Sequence, residues 1–435
     1  MKKHIKWLLH EIDLWVTEGI IEPKHAQAII ARYPAPAESA AWSRIIFFSI
    51  GAILFGLGVI LIFAYNWQQM HKFAKLAVIF AALLGAHGTG YWLRRPESRY
   101  RAAGEGLHLL GTMLFGAGIW LVAQIYHIEE HYPNAFLIWG LGALALAWSL
   151  PSVPQAIAAV ILFVLWNCFE AFDFKDPHLI SPFLILGGIM PLAWLRRSRV
   201  LIVIGVVGFL VTLFASVSTL EGDLAALVIF FTGCILIAVS LAVRQRNLFA
   251  ETGPLFAFIG FFIYFGVLLI LSFYHRGRGT WLVNFDQFMQ SLFFFSFALA
   301  AIGMWAWAIW PAAKKKRQPN KALSFEYYGV MATLSIMILN TLDLLPLRGW
   351  LSMAVFNLLF LYQCIMMIIT GCRNLNLKTT VTGCVLFAVI AMARYTDLFV
   401  SLLTRSLVFF IAGAALFSVG IYYSKTRKQI ERETL

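Results

Sequence analysis

Glu105 and His108 are the pair in this sequence whose types and spacing best suit chemistry. They lie three residues apart at the start of an apolar run, so on a helix they are one turn apart, and Arg99 and Arg101 lie close in sequence. A carboxylate beside a histidine in apolar surroundings can relay protons, because histidine changes charge near neutral pH. An ion-paired helix start accounts for the same residues, and both interpretations stay open.

A second polar cluster closes the same apolar run. Gln124 is followed by His127 and His131, which share a helix face, and Glu129 and Glu130 lie between the two histidines. Histidine and carboxylate ligands at this spacing suit a divalent metal such as zinc. Polar and aromatic residues of this kind are also typical of an ordinary membrane boundary. The second interpretation is favoured, so no metal is predicted.

Other polar residues inside or beside apolar runs are few, and each is a functional candidate because burying it is costly. Asn167 lies near the end of one run. Arg394 and Asp397 are three residues apart and can pair on one helical turn, with Arg405 further along. A structural ion pair is favoured here over a site for an anionic substrate.

Motifs of known chemistries are missing from the sequence. There is no glycine-rich nucleotide loop, no HExxH metalloprotease motif and no GxSxG nucleophile motif. The five cysteines have no CxxC spacing and read as small buried hydrophobes. The sequence therefore predicts no cofactor, and it gives no argument for an enzyme.

The elements that must position these residues are membrane-spanning helices. Of the 435 residues, 61% are hydrophobic and 13% are charged, and the mean hydropathy is +0.79. A soluble domain carries about 25% charged residues. The net charge of +13 comes from basic residues placed between apolar runs, so nucleic-acid binding is not predicted and the lipid bilayer is the expected environment.

The apolar runs predict an all-α, polytopic membrane protein with about 14 transmembrane helices. A cytoplasmic amphipathic hairpin is predicted for residues 1–38, a membrane domain for 39–424 and a basic cytoplasmic tail for 425–435. In the hairpin, Gly19 is expected to end the first helix and Pro23 to begin the second. The predicted spans are 45–65, 73–93, 104–123, 135–150, 154–170, 179–195, 200–217, 224–243, 249–272, 288–310, 326–342, 350–371, 376–393 and 405–423.

The loop charges orient these spans. With the N-terminus inside, most of the 34 Lys and Arg residues fall in inner segments, as the positive-inside rule requires. Both termini are therefore expected in the cytoplasm. The Glu105 end of its span is then the inner end, and the Gln124 end is the outer end.

A glycine-rich pattern repeats along the chain. Residues 51–58 (GAILFGLG) match residues 111–118 (GTMLFGAG), and residues 413–420 (GAALFSVG) are a looser copy. Small residues at this spacing let helices approach closely in lipid. Helix packing is the favoured explanation, and an old duplication of helix pairs, as transporters show, is the alternative.

Several segments resemble an uncharacterised bacterial family of predicted membrane proteins with an N-terminal domain of unknown function. The resemblance lies in residues 15–21 (WVTEGII), 26–33 (AQAIIARY), 124–127 (QIYH), 393–397 (ARYTD) and 405–413 (RSLVFFIAG), and in the glycine-rich first span. It implies a location in the bacterial inner membrane. It also implies a partner, since members are often encoded beside a membrane-anchored protein with a GDYxxLxY motif. It implies no activity.

Three functional hypotheses follow. The leading one is a transporter or flippase of a small or amphipathic solute, based on the span number, the repeated glycines and the polar residues near span ends. The alternative is a non-catalytic scaffold that organises an envelope complex through the hairpin. A third is an intramembrane transferase acting at the outer face, which would need His127, His131 or Glu129.

Overall fold

The computed structural model is built of helices, and no strand occurs in the part of the chain that it describes. That part runs from 71 to 395 with gaps at 96–97, 99, 128–130, 177, 219–223, 274–287, 315–324, 343, 346 and 348. It also includes residues 8, 11–12 and 14–32 and scattered positions in 46–61 and 410–421. The all-α, polytopic class is confirmed.

The helices follow the apolar runs closely. Predicted spans 73–93, 224–243 and 376–393, for example, correspond to observed helices within three residues at each end. The helices of ten or more residues are α1 (Pro23–Arg32), α2 (Lys72–Leu93), α3 (Arg101–Tyr126), α4 (Pro133–Ser149), α5 (Val153–Phe169), α8 (Arg199–Val217), α9 (Leu224–Arg246), α10 (Gly253–Phe273), α11 (Phe288–Lys314), α12 (Phe325–Thr341), α13 (Gly349–Arg373) and α14 (Leu377–Tyr395), with the short α6 (Ser181–Gly188) and α7 (Met190–Leu195) between α5 and α8.

Eight of the described helices are long and apolar enough to cross a membrane by length and composition, and shorter apolar helices accompany them. The predicted first and last spans, 45–65 and 405–423, fall mostly outside the described residues, as does the tail 425–435. The total of fourteen therefore stays a prediction.

One predicted span is corrected. Residues 179–195 were expected to form a single helix, but it is broken into α6 and α7 around Ile189. Pro191 lies in the first turn of α7, where its missing N–H and its ring are tolerated, whereas in a continuous helix both would disrupt the preceding turn. The span predicted to end at residue 170 also continues, as a π-helical turn over Glu170–Phe174.

The helices fall into two compact units. The first covers residues 1–169 and 183–208, and in it α3 packs against α2, α4 and α5 while α4 packs along α5. The second covers 170–182 and 209–435, and its centre is α9, which packs against α10, α11 and α12, with α13 joining α10, α12 and α14.

The N-terminal region begins as its pattern predicts. Gly19 has a left-handed φ of +73°, and the amide of Ile20 donates to the carbonyl of Trp15, which ends the preceding helical turn. Pro23 is the first residue of α1. Ile12 and Ala26 are both buried. A hairpin over residues 1–38 as a separate domain stays a prediction.

Candidate functional site

The candidate site is organised along one face of α3 in the first unit. Residues that recur every three or four positions line one face of this 26-residue helix. They are at positions 105, 108, 112, 115, 119 and 123. The first three positions belong to a buried network that we call the polar lane, defined by Arg94, Glu105, His87, His108, Thr112 and Gln155. The last three line a cavity near the predicted outer end, which we call the outer cavity.

An ion pair forms the predicted inner end of the polar lane. Arg94, which caps the end of α2, lies 2.8 Å from Glu105 on α3, and both side chains are nearly buried. Ser152 donates a hydrogen bond of 2.7 Å to the other carboxylate oxygen of Glu105, and Arg94 also donates to the carbonyl of Leu150. Burial lowers the pKa of Arg94, and the Glu105 carboxylate raises it. The start of α3 thus carries an ion pair, and its partner is Arg94 rather than an arginine close by on the same segment.

One turn further along α3, two histidine rings meet. Nδ1 of His87 on α2 lies 3.2 Å from Nδ1 of His108, and the rings stack at an interplanar angle of 30°. Each ring rests on a glycine of the opposite helix. A Cβ added at Gly111 would lie 2.5 Å from Nε2 of His87, and one added at Gly90 would lie 3.2 Å from Nδ1 of His108. The two glycines therefore make room for the histidine pair.

The third level of the lane is fully buried. The Thr112 hydroxyl donates to Oε1 of Gln155 on α5 at 2.7 Å, and the Trp139 indole donates to the carbonyl of Thr112 at 2.7 Å. Within the described part of the chain, Nε2 of Gln155 and Nε2 of His108 have no hydrogen-bond partner. Buried polar atoms without partners are rare in proteins and indicate strain, function or an unseen ligand.

The outer cavity has a volume of about 740 Å³ and opens between α2, α3 and the start of α4. Its walls are mainly apolar and aromatic, including Phe115 and Trp120. Its polar groups come from the boundary cluster that the sequence singled out, namely Gln124, His127, His131 and Asn134.

His127 ends α3 in a left-handed conformation with φ of 53°, and its amide donates to the carbonyl of Ala123. Residues other than glycine adopt this conformation at a cost of about 1–2 kcal/mol. The turn brings His127 and His131 to the same cavity. Among the described residues no three His, Cys, Asp or Glu side chains are placed to hold a metal, and Glu129 and Glu130 lie outside that part of the chain.

The other candidates are not at this site. Asn167 on α5 is fully buried and does not line the outer cavity. In the second unit, Arg394 is buried, donates to Oδ1 of Asn357 at 2.9 Å and to the carbonyl of Ser272, and stacks on the ring of Phe273. Asp397 and Arg405 lie outside the described residues, so the predicted ion pair stays a prediction.

Sequence reasoning found Glu105 and His108 but missed His87, Arg94 and Gln155, which come from the neighbouring helices. A signal for one of them was present. His87 and Gly90 on α2 have the same His-x-x-Gly spacing as His108 and Gly111 on α3. In two antiparallel helices this spacing places each histidine on the glycine of the other.

Comparison with known proteins supports the resemblance stated above. Residues 13–156 match a family model described as "Predicted membrane protein (DUF2157)". The matched segment includes α2, α3, α4 and the first residues of α5, and therefore every residue that defines the polar lane or lines the outer cavity. The resemblance to an uncharacterised family of predicted membrane proteins is thus confirmed over these residues. No curated protein and no solved structure matches the chain.

Proposed function

We propose that this protein moves a small amphipathic solute across the membrane through its first unit. The observation that carries the proposal is the continuity of one α3 face, which bears the polar lane at one end and the outer cavity at the other. Glu105 and Gln124 are nineteen residues apart, or about 28 Å at the rise of an α-helix. That distance approaches the hydrocarbon thickness of a bilayer, about 30 Å.

The lining of the outer cavity indicates the class of solute. Its volume of about 740 Å³ falls within the range of about 300–1,000 Å³ typical of small-molecule sites. Apolar and aromatic walls suit an apolar body such as a ring or a short acyl chain. The Gln124 and Asn134 amides and the His127 ring offer hydrogen bonds to a polar end. We propose that these residues select the solute.

Two aromatic side chains separate the cavity from the lane. Phe115 lies on α3 between Thr112 and Ile119, and a Cβ added at Gly142 of α4 would lie 2.7 Å from its ring. Trp139 packs still more closely on Gly116, and its indole donates to the carbonyl of Thr112. We propose that this pair is the closed barrier of the pathway, and that it must move for the solute to pass.

Cysteine accessibility tests the pathway without knowledge of the solute. Thr112→Cys is introduced into a chain whose five native cysteines are replaced by serine or alanine, reconstituted in liposomes and treated with a membrane-impermeant maleimide on either side. Labelling is expected because a transport pathway exposes its middle to water. Phe115→Ala should increase labelling from the cavity side. Ala238→Cys on α9 of the second unit, which is fully buried, is the control that stays unlabelled.

A Thr112→Cys chain that resists the reagent from both sides would contradict transport. The lane would then be a sealed structural core, which is the outcome expected of a scaffold.

The same preparation also tests orientation. We infer from the loop charges that both termini face the cytoplasm of the inner membrane, so a cysteine added at either end should react only from the inside. The GDYxxLxY-motif protein remains the proposed partner, to be tested by co-purification.

A further inference from the structure

We infer that His87 and His108 form one proton-binding site that links proton uptake to opening of the lane. The inference rests on the proposed function, because it names the ion that would be coupled to solute movement. Three observations carry it, namely the contact between the two rings, the partnerless Nε2 of His108 and the close fit of the rings between two helices.

The contact fixes how many protons the pair can hold. At 3.2 Å between the Nδ1 atoms, one ring must donate its Nδ1–H and the other must accept with its lone pair. A neutral pair satisfies this with one proton on each ring. An added proton binds to Nε2 of the donating ring, and the contact persists. A second added proton would give both Nδ1 atoms a hydrogen, so the rings would have to separate. The pair therefore takes up one proton while the contact between its Nδ1 atoms persists.

His108 is the ring suited to receive that proton. It is 3% exposed, and its Nε2 has no partner among the residues that the structure describes. When His108 donates to His87, this Nε2 carries a lone pair that a proton can occupy. When His87 donates, the same atom is an N–H without an acceptor. Uptake of a proton would favour the first arrangement, in which the imidazolium of His108 donates to His87.

Few charges face the pair. At the end of α2 lies Arg94, which acts on His108, and on α3 lies Glu105, which pairs with Arg94. Arg101 and Arg196 act on Arg94 itself. Arg94 opposes a positive charge on the histidines, and Glu105, one turn from His108, favours it. The helices packed on the other side, α4 and the adjoining part of α5, present no titratable side chain beside the pair. Among the described residues, Glu105 is the carboxylate one helical turn from the pair, on its predicted inner side.

The close fit of the rings is what converts protonation into movement. His87 fills the space beside Gly111, and His108 fills the space beside Gly90. One turn away, a Cβ added at Gly104 would lie only 2.8 Å from the carbonyl oxygen of Gly90. A proton on the buried Nε2 of His108 is a donor without an acceptor among the described residues, so the ring must move to satisfy it. With no slack between α2 and α3, that movement shifts one helix against the other. Such a shift acts directly on Thr112, the next turn of the lane.

The first test measures accessibility against pH. Labelling of Thr112→Cys is divided by that of the exposed Glu22→Cys at the same pH, because only the thiolate reacts. This ratio is compared at pH values about one and a half units either side of the ordinary histidine pKa. A change of at least severalfold is expected, and His87→Gln and His108→Gln should each abolish it. His71→Gln is the control, because His71 is exposed at the start of α2 and should leave the pH response intact. Labelling that does not depend on pH would overturn the inference and leave the transport proposal standing.

The second test does not depend on transport and uses the wild-type chain. The ¹⁵N resonances of labelled histidines in nanodiscs report whether a ring carries one proton or two, and spectra of the two glutamine variants assign the pair among the ten histidines. One added proton shared by the pair, with both rings shifting together, is the expected result. Two rings that titrate separately, or a pair that takes up no proton, would overturn the inference even where Thr112→Cys is labelled.

Discussion

Neutralising Glu105 should destabilise the first unit by more than any surface charge does. Glu105→Gln keeps one oxygen that can accept from Arg94, and its amide nitrogen can donate to the Ser152 hydroxyl, so it removes the charge while preserving the size and most of the hydrogen bonding. The substitution leaves the guanidinium of Arg94 without its counter-charge. Arg94 has a side-chain exposure of only 11%, compared with 14% for Glu105, so water cannot replace the carboxylate effectively.

The expected loss follows from the geometry of the pair. Removing one partner of a fully buried ion pair costs about 3–5 kcal/mol, whereas exposed pairs contribute about 0–1 kcal/mol. The pair is nearly but not fully buried, and Arg94 retains the carbonyl of Leu150 as an acceptor. We therefore expect Glu105→Gln to lower the free energy of unfolding by about 2–4 kcal/mol.

Equilibrium unfolding in mixed micelles of mild detergent and dodecyl sulfate measures this loss. The matched control is Glu22→Gln, whose side chain is 77% exposed beside His25 and should show no measurable effect. The double variant Arg94→Gln with Glu105→Gln should lose less than the sum of the two single variants, because it leaves no lone buried charge. A loss below about 0.5 kcal/mol for Glu105→Gln would refute the argument that this pair holds the ends of α2 and α3 together.

Two further changes test the packing of each unit. Thr112→Val should lower the free energy of unfolding by about 1–3 kcal/mol, because Oε1 of buried Gln155 loses its donor, whereas Thr89→Val on the exposed face of α2 should be nearly neutral. Gly260→Leu should destabilise the second unit by about 1–3 kcal/mol relative to Gly266→Leu on the same helix, since a Cβ at Gly260 would lie 2.8 Å from the amide of Ile237 and Gly266 has open space. Thermal unfolding of the purified variants checks both, and equal melting temperatures within either pair would contradict the assigned contacts.

The positions of the helices could be predicted from this sequence because the requirement for crossing a bilayer is simple. A span needs about twenty apolar residues, and a charge or a proline marks its end. The charges at Arg244 and Arg246 mark the end of α9, and Arg373 marks the end of α13. The break between α6 and α7 was missed because Pro191 lies inside an apolar run, where composition alone does not reveal an interruption.

The partners of the candidate residues could not be predicted in the same way. In a soluble helix the apolar stripe points to the core, but a lipid-facing side is as apolar as a protein-facing one. The apolar pattern of α3 therefore gave no sign that Glu105 faces Arg94 rather than Arg101. Gln155 was missed for a related reason, since a single amide near a helix start is also typical of a polar boundary.

In this chain the small residues indicate which helix faces contact each other, which the periodicity of apolar residues does not. The glycine pattern at 111–118 was interpreted as helix packing, and the structure confirms close contacts at Gly111, Gly116 and Gly118. What the pattern did not reveal is that the partner of one glycine is a histidine. The reciprocal His-x-x-Gly spacing on α2 and α3 fixes both the antiparallel register and the ring contact at once. A large polar side chain that fits only against a glycine of the neighbouring helix therefore predicts which two helices pair better than the glycine alone does. It also predicts that the polar group lies at the contact between those helices.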